Sequence, residues 1–367
     1  MFDFNFFSKK PQSVLGVDIG SSSVKIVQVT KKGGKAILET YGELSLGPYG
    51  ATEIGRATNL PADKISEALK DLMREAKTTA TSCGVAIPFG STFMTILEIP
   101  PVPEKEIASV IQLEARKYIP VPISEVTLDW WVIPREEESV LLMEGEKTAI
   151  QNKNISVLIV AIHNDTLSKY QEVVTKAGLT ATFFEIEIFS AMRSVLENNF
   201  VPVMILDMGA SSTKLYLIER GIIRSTHTVN RGSQDITLAL SRALGVTVEK
   251  AEVMKRNIGL EEQETDKSVK DVISLVVDAI FSEAEQVVMN YQRKYGKNVS
   301  QIIVTGGGVE LKRLLEVARK DFQIEVVPAD PFHKLDFPAF LADTLKHVGP
   351  EFAIAVGAAL RKLQDFA

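Results

Sequence analysis

The chain has 367 residues, of which 45% are apolar and 24% charged, and this composition is that of an ordinary soluble globular protein. It excludes a disordered chain, a collagen-like fibre and a polytopic membrane protein, and the length predicts two or three domains. The net charge of −6 gives no electrostatic basis for binding nucleic acid. The single cysteine, Cys83, excludes an intramolecular disulfide and a CxxC metal site, which favours a reducing compartment.

The N-terminus is rich in phenylalanine. Four phenylalanines occur within the first seven residues and two lysines follow them: Phe2, Phe4, Phe6, Phe7, Lys9 and Lys10. The run is too short for the apolar region of a signal peptide, and no stretch of the chain reaches the roughly 18 apolar residues of a membrane-spanning helix. A weak contact with a membrane surface, a docking site for a partner and packing back onto the domain that follows all stay open.

An internal repeat predicts the architecture. The segment LGVDIGSSSVKIV at residues 15–27 recurs as ILDMGASSTKLY at residues 205–216, and five of eight positions from the aspartate onward are identical. Each copy is typical of a strand, a tight glycine-containing turn and a second strand. A third strand (residues 36–41 and 222–229) and then a helix follow each copy. The repeat therefore predicts two equivalent α/β lobes that face each other.

The remaining elements fit two lobes with an insertion. In the first lobe we predict a helix over 61–77 and a strand over 83–87. In the second lobe we predict helices over 233–244, 248–258, 268–295 and 309–320, strands over 299–304 and 324–327, and a last helix over 351–363. The small residues of that last helix allow a close helix crossing, although plain core packing explains them equally well.

The insertion alternates differently. Strands over 93–99, 126–133 and 155–162 with helices over 104–118 and 166–177 predict a small α+β domain, and residues 134–154 read as a solvated loop. Trp130 and Trp131 are neighbours on a strand, so they point to opposite faces. Either one lies in the domain core and the other lines a partner groove, or both are buried between layers.

The repeated turn suits a phosphate group. Gly20 lets backbone N–H groups approach a polyphosphate, residues 21–23 add serine donors, and Lys25 adds a positive charge. Asp18 repels phosphate, so its expected role is to hold Mg²⁺ through water molecules, with Asp207 of the second copy facing it. For a single such motif an acidic strand end before a turn is the better explanation, but two copies in the same context favour the phosphate site.

Two further motifs leave alternatives open. The glycine run at residues 306–308 allows backbone to press against a nucleoside or an α-phosphate with a helix N-terminus behind it, or it forms a tight turn only. Glu252 and Lys255 lie on one helix face, where they bind ribose hydroxyls and base edges or form a solvated ion pair. The four histidines have no metal-binding spacing.

Glu185 and Glu187 precede a helix in the second half of the first lobe. A carboxylate at this place can orient a water molecule toward a γ-phosphate. An acidic residue is also favoured there by the helix dipole alone. We prefer Glu187 over Glu185 for the catalytic role.

These motifs, taken in order, resemble those of the actin/Hsp70/sugar-kinase ATPases. Residues 15–29, 183–193, 204–218, 302–314 and 352–361 are similar to the phosphate-1, connect-1, phosphate-2, adenosine and connect-2 motifs. The insertion, with IPPVPE, LEARKYIP and LDW, resembles the 1C domain of the FtsA-like branch and, within it, the PilM family of type IV pilus assembly proteins. The resemblance implies an actin-like ATPase fold with two ribonuclease-H-like lobes and an inserted α+β domain of the 1C (SHS2-like) type.

The resemblance also implies a division of the chain and a set of ligand contacts. Lobe 1A comprises residues 10–90 and 180–200, the 1C domain 91–179, lobe 2A 201–232 and 299–367, and subdomain 2B 233–298. ATP and Mg²⁺ are the implied cofactors, with Asp18 and Asp207 at the metal and Glu187 as the catalytic residue. The implied nucleotide contacts are Gly20, Ser21, Ser22, Ser23, Lys25, Gly209, Ala210, Ser211, Ser212, Glu252, Lys255, Gly306, Gly307 and Gly308.

The chain departs from the family pattern at one position, and the resemblance also implies partners. Ala210 stands where many actin-like ATPases have a second glycine, which favours nucleotide binding with at most weak hydrolysis. The implied partner is the N-terminal peptide of a PilN-like membrane protein, at the cytoplasmic face of the inner membrane. Contacts with pilus assembly ATPases or other platform proteins, a peripheral membrane contact and self-association stay open. An FtsA-like polymerising protein and a small-molecule kinase of the same superfamily are the alternatives.

Overall fold

The computed structural model describes residues 13–134, 154–197, 200–261 and 267–364. The phenylalanine-rich start lies outside these residues, as does all but the two ends of the predicted loop at 134–154. The chain divides into two compact units. One unit takes in the chain up to Ala86 and again from Glu172, and the other spans Ile87–Gln171.

The larger unit contains two five-stranded sheets built in the same way. The first has the order β3-β2-β1-β4-β8 and the second the order β11-β10-β9-β12-β13. The strands of the first are β1 (Val14–Ile19), β2 (Ser23–Lys32), β3 (Lys35–Ser45), β4 (Ser82–Ile87) and β8 (Thr180–Ile186). Those of the second are β9 (Val203–Met208), β10 (Thr213–Glu219), β11 (Ile222–Val229), β12 (Gln301–Thr305) and β13 (Glu325–Pro328).

The two sheets also agree in strand direction. In each, the central strand runs antiparallel to the next strand along the chain and parallel to the fourth. β1 and β9 are buried along their whole length because both of their faces are covered. The prediction of two equivalent lobes is confirmed.

Helices cover these sheets. They are α1 (Ala62–Glu75), α4 (Glu187–Val195), α5 (Ser233–Leu244), α6 (Val248–Ile258), α7 (Lys267–Tyr295), α8 (Leu314–Asp321), α9 (Ala342–Val348) and α10 (Ala353–Gln364). Local sequence explains several of their ends. Pro61 caps the start of α1, and Gly245 ends α5 in a left-handed conformation with φ 63°. Apolar side chains of α5, α6 and α7 form one core with the second sheet. Ile236, Ala251 and Ile280 are among the buried residues of this core.

The helix predicted over residues 309–320 begins later than expected. A short 3₁₀ turn, Gly307–Glu310, follows the glycine run, and α8 starts only at Leu314. The break has a backbone cause, since Leu311 is extended and Arg313 has φ 63°, a left-handed conformation outside the α-helical region. The expectation of an α-helix N-terminus directly behind the glycines was therefore wrong.

The last helix, α10, packs on the first sheet and against α4, although the sequence division placed it with lobe 2A. A Cβ atom added at Gly16 of β1 would lie 2.0 Å from the Ala355 carbonyl oxygen. One added at Gly357 would lie 1.8 Å from the Ser190 carbonyl oxygen. Backbone therefore touches backbone at both crossings, and the predicted close crossing is confirmed.

The smaller unit is an antiparallel sheet with helices. Its elements are β5 (Thr92–Ile99), α2 (Glu104–Ala115), β6 (Val126–Val132), β7 (Ile155–His163) and α3 (Asn164–Lys176), which continues past the end of the unit. The sheet order is β5-β7-β6. Buried Ile111 and Ala115 of α2 pack with its inner face, which defines the core of this α+β unit.

The two tryptophans of β6 occupy different environments. Trp130 packs against the core of the smaller unit, whereas the side chain of Trp131 is 48% exposed. The prediction of opposite faces is confirmed, and the alternative that both are buried is wrong.

Within the described residues, no helix has both the length and the apolar character that a membrane crossing requires.

Substituting alanine for Gly357 tests the helix crossing. We expect the free energy of unfolding to fall by about 3 kcal/mol or more, because the added methyl group has no space beside the Ser190 carbonyl. Urea unfolding followed by far-UV circular dichroism measures the change. Gly90→Ala is the matched control because a Cβ there meets no atom within 4 Å. Equal stability of the two variants would show that α4 and α10 can move apart at this crossing without loss of stability.

Candidate functional site

The repeated turns have the same hydrogen-bonded geometry. In the first, the Gly20 N–H donates to the Ser23 carbonyl at 2.9 Å, and in the second the Gly209 N–H donates to the Ser212 carbonyl at 3.1 Å. Across each strand pair an aspartate lies opposite a lysine, Asp18 opposite Lys25 and Asp207 opposite Lys214. The two copies of the repeated sequence thus form the same backbone hydrogen bond and place an aspartate opposite a lysine in the same way.

Both turns open onto one cavity of about 530 Å³, which is within the usual range of about 300–1,000 Å³ for ligand pockets. Every site residue predicted from the sequence lines this cavity. They are Asp18, Gly20, Ser21, Ser22, Ser23, Lys25, Glu187, Asp207, Gly209, Ala210, Ser211, Ser212, Glu252, Lys255, Gly306, Gly307 and Gly308. The structure brings the whole predicted set together, while the role of each residue stays a prediction.

Lys214 links the two lobes on one side of the cavity. Its Nζ lies 2.8 Å from Glu187 Oε1 of α4 and 3.6 Å from Asp207 Oδ2 of β9. Burial alone would lower the pKa of this lysine, but the two carboxylates outweigh it and the pKa is raised. The ammonium group therefore stays charged and holds both carboxylates in place.

Asp18 lines the same cavity and is in a different electrostatic state. Burial raises its pKa from 3.8 to about 7, Lys25 opposes the shift, and Glu187 adds to it. Near neutral pH the carboxyl is therefore only partly ionised. A divalent cation would favour the carboxylate form, because a positive charge stabilises the ionised state.

Lys25 is held by Ser23 of the predicted site and by two glutamates that the sequence reasoning missed. Its Nζ lies 3.0 Å from Glu43 Oε1 and 3.8 Å from Glu351 Oε2, and it donates to Ser23 Oγ at 2.9 Å. Burial and the neighbouring Glu43 raise the pKa of Glu351 to about 8. Both glutamates line the cavity. Neither lies in a recognisable motif, so no local sequence signal identifies them.

The Glu252 and Lys255 pair is buried rather than solvated. Lys255 Nζ lies 2.6 Å from Glu252 Oε2, Thr237 Oγ1 donates to the same oxygen at 2.6 Å, and Arg256 Nε donates to Oε1 at 2.7 Å. The alternative of a solvated surface pair is therefore wrong. Arg256 also lines the cavity, and its place four residues after Glu252 on the same helix is the signal that could have identified it.

The three glycines have unequal roles. Gly306 has φ +86°, and a Cβ there would lie 2.6 Å from Asp207 Oδ1. A Cβ at Gly308 would lie 2.3 Å from Met208 Cγ. The end of β9 therefore leaves no space for a side chain at Gly306 or at Gly308. Gly307 has no neighbour closer than Glu351, at 3.6 Å from such a Cβ. The glycine run forms a tight turn and also lines the cavity with backbone rather than side chains.

Glu185 takes no part in the cavity lining. Its carboxylate accepts hydrogen bonds from Arg193 at 2.6 and 3.0 Å, from Arg361 at 2.8 Å and from Ser190 at 2.6 Å. Glu187 begins α4, is buried and faces the cavity. The geometry therefore agrees with the preference for Glu187 over Glu185.

A metal ion at this place would need ligands from outside the protein. Among the described residues, no group of three or more His, Cys, Asp or Glu side chains is placed to hold a metal ion. Asp18 and Asp207 offer carboxylates from two sides, and Mg²⁺ commonly combines one or two carboxylates with phosphate oxygens and water. The donor set therefore fits a magnesium–phosphate complex.

The arrangement of two facing sheets around a cleft defines an actin-like ATPase fold. The chain matches, over 95% of its length and 98% of the other chain, a solved structure described as the "PilM-PilN type IV pilus biogenesis complex", with a TM-score of 0.79 and 24% identity. MreB5 of Spiroplasma citri bound to AMPPNP has the same fold, with a TM-score of 0.51 and 12% identity over 97% of this chain and 99% of that one.

Sequence comparison defines the family. The chain is 24% identical to the cell division protein FtsA of Neisseria meningitidis serogroup B over an alignment of 377 positions, gaps included, that covers 93% of this chain and 88% of that protein. A sequence model of the type IV pilus assembly protein PilM matches residues 16–363. The chain belongs to the PilM family.

Glu351→Gln tests the buried carboxyl beside Lys25. A raised pKa means that the folded state binds the proton more tightly than the unfolded state does. The free energy of unfolding of the wild type therefore falls as the pH rises from about 4.5 to about 8 and this carboxyl group ionises. The glutamine variant lacks that loss and should exceed the wild type in unfolding free energy at pH 8 by an amount on the order of a few kcal/mol. At pH 4 the two should be alike.

Urea unfolding at a series of pH values measures this difference. Glu285→Gln, on the exposed side of α7, is the control and should follow the wild-type pH profile. A Glu351→Gln profile parallel to that of the wild type would contradict the assignment of a raised pKa to this carboxyl.

Proposed function

We propose that the chain binds a magnesium–nucleoside triphosphate, with ATP as the expected nucleotide, in the cavity between the repeated turns. One observation carries the proposal: two turns, one from each sheet, bring the same donors, backbone N–H groups next to glycine and serine hydroxyls, to one cavity. Each turn supplies a buried aspartate, Asp18 and Asp207, beside the place where the phosphates would lie. The AMPPNP complex of MreB5 is a precedent for a nucleotide analogue on this fold.

Charge explains the need for the metal ion. Near the turns the cavity is lined by five carboxyl groups and two lysines: Asp18, Glu43, Glu187, Asp207 and Glu351, with Lys25 and Lys214. Those of the five that are ionised near neutral pH would repel a polyphosphate that arrives without a cation. A divalent cation between Asp18, Asp207 and the phosphates would turn that repulsion into attraction.

The chain's own residues have separate roles in this proposal. The turn N–H groups and serine hydroxyls bind phosphate oxygens, and Glu252 and Lys255 meet the ribose. Glu187, fixed by Lys214, can accept a hydrogen bond from a water molecule in the cavity and orient it. A bound Mg²⁺ would supply charge neutralisation at the phosphates. We propose nucleotide binding as the main activity, with at most slow hydrolysis.

Calorimetric titration with Mg-ATP tests this proposal. We expect saturable heat with the wild type, and at least about tenfold weaker binding for Asp18→Ala and Asp207→Ala, since both would hold the ion through water. Chelation of Mg²⁺ should weaken wild-type binding as well. Asp271→Ala, an exposed residue of α7, should bind like the wild type. Equal affinity in all four proteins would contradict the proposed site.

The partner proposal follows from the family. We propose that the chain docks the N-terminal peptide of a PilN-like membrane protein and thereby acts as a cytoplasmic scaffold at the inner face of the membrane. Two facts support it, the membership in the PilM family and the likeness to a structure described as a PilM–PilN complex. The exposed Trp131 of the smaller unit is our candidate contact.

Fluorescence anisotropy with a labelled PilN-type N-terminal peptide from the same organism tests the partner. We expect saturable binding to the full chain, no binding of a scrambled peptide, and about tenfold weaker binding for Trp131→Ala, as is typical of an aromatic anchor. Leu275→Ala is the control because Leu275 is an exposed apolar residue of α7. Unchanged binding of the Trp131 variant would remove this residue from the interface, and no binding to the wild type would contradict the partner.

A further inference from the structure

The segment of residues 46–60 between β3 and α1, which we name the strap, is attached at both ends to the first phosphate turn. The Leu46 N–H donates to the Ser22 carbonyl at 2.8 Å. Near the other end, the Thr58 N–H and Thr58 Oγ1 donate to the Ser21 carbonyl at 2.8 and 3.1 Å. Two carbonyl groups of the turn that we assign to phosphate, those of Ser21 and Ser22, are therefore held by the strap.

The middle of the strap reaches the second lobe. The Ala57 N–H donates to Gln234 Oε1 of α5 at 3.1 Å. Gly55 lies so close to Glu252 of α6 that an added Cβ would be 2.9 Å from the carboxylate carbon and from Oε1. Ile54 and Gly55 also line the cavity. One short segment thus contacts the phosphate end and the ribose end of the site together.

The strap has its own internal order. The Thr52 N–H donates to the Gly47 carbonyl at 3.0 Å, and the Tyr49 hydroxyl donates to Asp71 of α1 at 2.7 Å. A Cβ at Gly47 would lie 2.3 Å from the Glu53 carbonyl oxygen, so the loop is folded tightly on itself. Because its shape is already fixed, little ordering entropy is lost when it covers a ligand.

We propose that the strap is a third wall of the nucleotide site and sets the residence time of the nucleotide, with Gly55, Thr58 and Gln234 as positioning residues. This inference rests on the proposed nucleotide binding. A nucleotide that leaves the cavity on the side of Ile54 and Gly55 has to displace the strap from Gln234 and Glu252. Loss of a strap contact should therefore raise the dissociation rate more than it changes the association rate.

Stopped-flow dissociation of Mg-bound mant-ADP, chased with excess unlabelled ADP, measures this rate. Gly55→Ala should raise it about 10-fold, because the methyl group forces the strap away from Glu252. Gly178→Ala is the matched control. Gly178 has the same φ of +85° but no atom within 4 Å of an added Cβ, so it carries the backbone strain without the contact.

Three further variants test the hydrogen bonds without adding atoms that would clash. Gln234→Ala removes the acceptor of the Ala57 N–H and should raise dissociation about 3-fold to 10-fold, as one lost hydrogen bond does. Thr58→Val removes the hydroxyl donor to Ser21 and should act in the same direction, whereas Thr58→Ser restores the donor and should restore the slow rate.

The outcomes separate the two proposals. If the wild type binds no mant-ADP at protein concentrations that saturate other nucleotide sites, both the nucleotide site and the strap are wrong. If the wild type binds and Gly55→Ala and Gln234→Ala dissociate at the rate of Gly178→Ala, the nucleotide site stands and the strap inference is overturned. Faster dissociation in both, with rescue by Thr58→Ser, supports the inference.

Discussion

Two lysines of the cavity, Lys25 and Lys214, each opposite the aspartate of its own turn, are the constraint on which the site depends. A buried carboxylate is costly unless a positive charge or hydrogen bonds compensate it. Lys214 compensates Asp207 and Glu187 together, and Lys25 is shared by Glu43 and Glu351. The surplus of carboxyl groups that remains shows why a phosphate ligand would need a cation there.

The crossing of α4 and α10 places one of these charges. Glu187 is the first residue of α4, and further along the same helix Arg193 is fixed by Glu185 and by the Gly357 carbonyl at 3.0 Å. Because Gly357 brings the two helix backbones into contact, α4 has little freedom to rotate or slide. The position of the Glu187 carboxylate in the cavity is therefore set by apolar and backbone packing some distance from it.

Much of the fold and of the candidate site could be predicted because the sequence contains the turn twice. Identical residues at Asp18 and Asp207 and at Lys25 and Lys214 predicted two equivalent lobes. The structure has two sheets of the same strand order, and both turns line one cavity. Lys214 was visible in the repeat and was still left out of the predicted site. The helix after the glycine run was misplaced because the positive φ of Arg313 leaves no trace in hydrophobic periodicity.

Other parts of the site could not be predicted because they depend on contacts between distant positions. Glu43 and Glu351 meet at Lys25 although about three hundred residues separate them in the chain. The strap contains ordinary loop residues, and only the folded chain shows that Ala57 meets Gln234. Periodicity and motif spacing report on neighbours along the chain, so they carry no information on such meetings.

The position of α10 has a consequence for how the chain folds during synthesis. Val14, Val27 and Val29 of the first sheet are covered by Phe352, Ala355 and Ala359 from the end of the chain. At about 5–20 residues per second, that apolar face leaves the ribosome roughly 20–70 s before the helix that covers it. The smaller unit, Ile87–Gln171, is complete long before then. The nascent first sheet therefore exposes this apolar face until α10 has been synthesised.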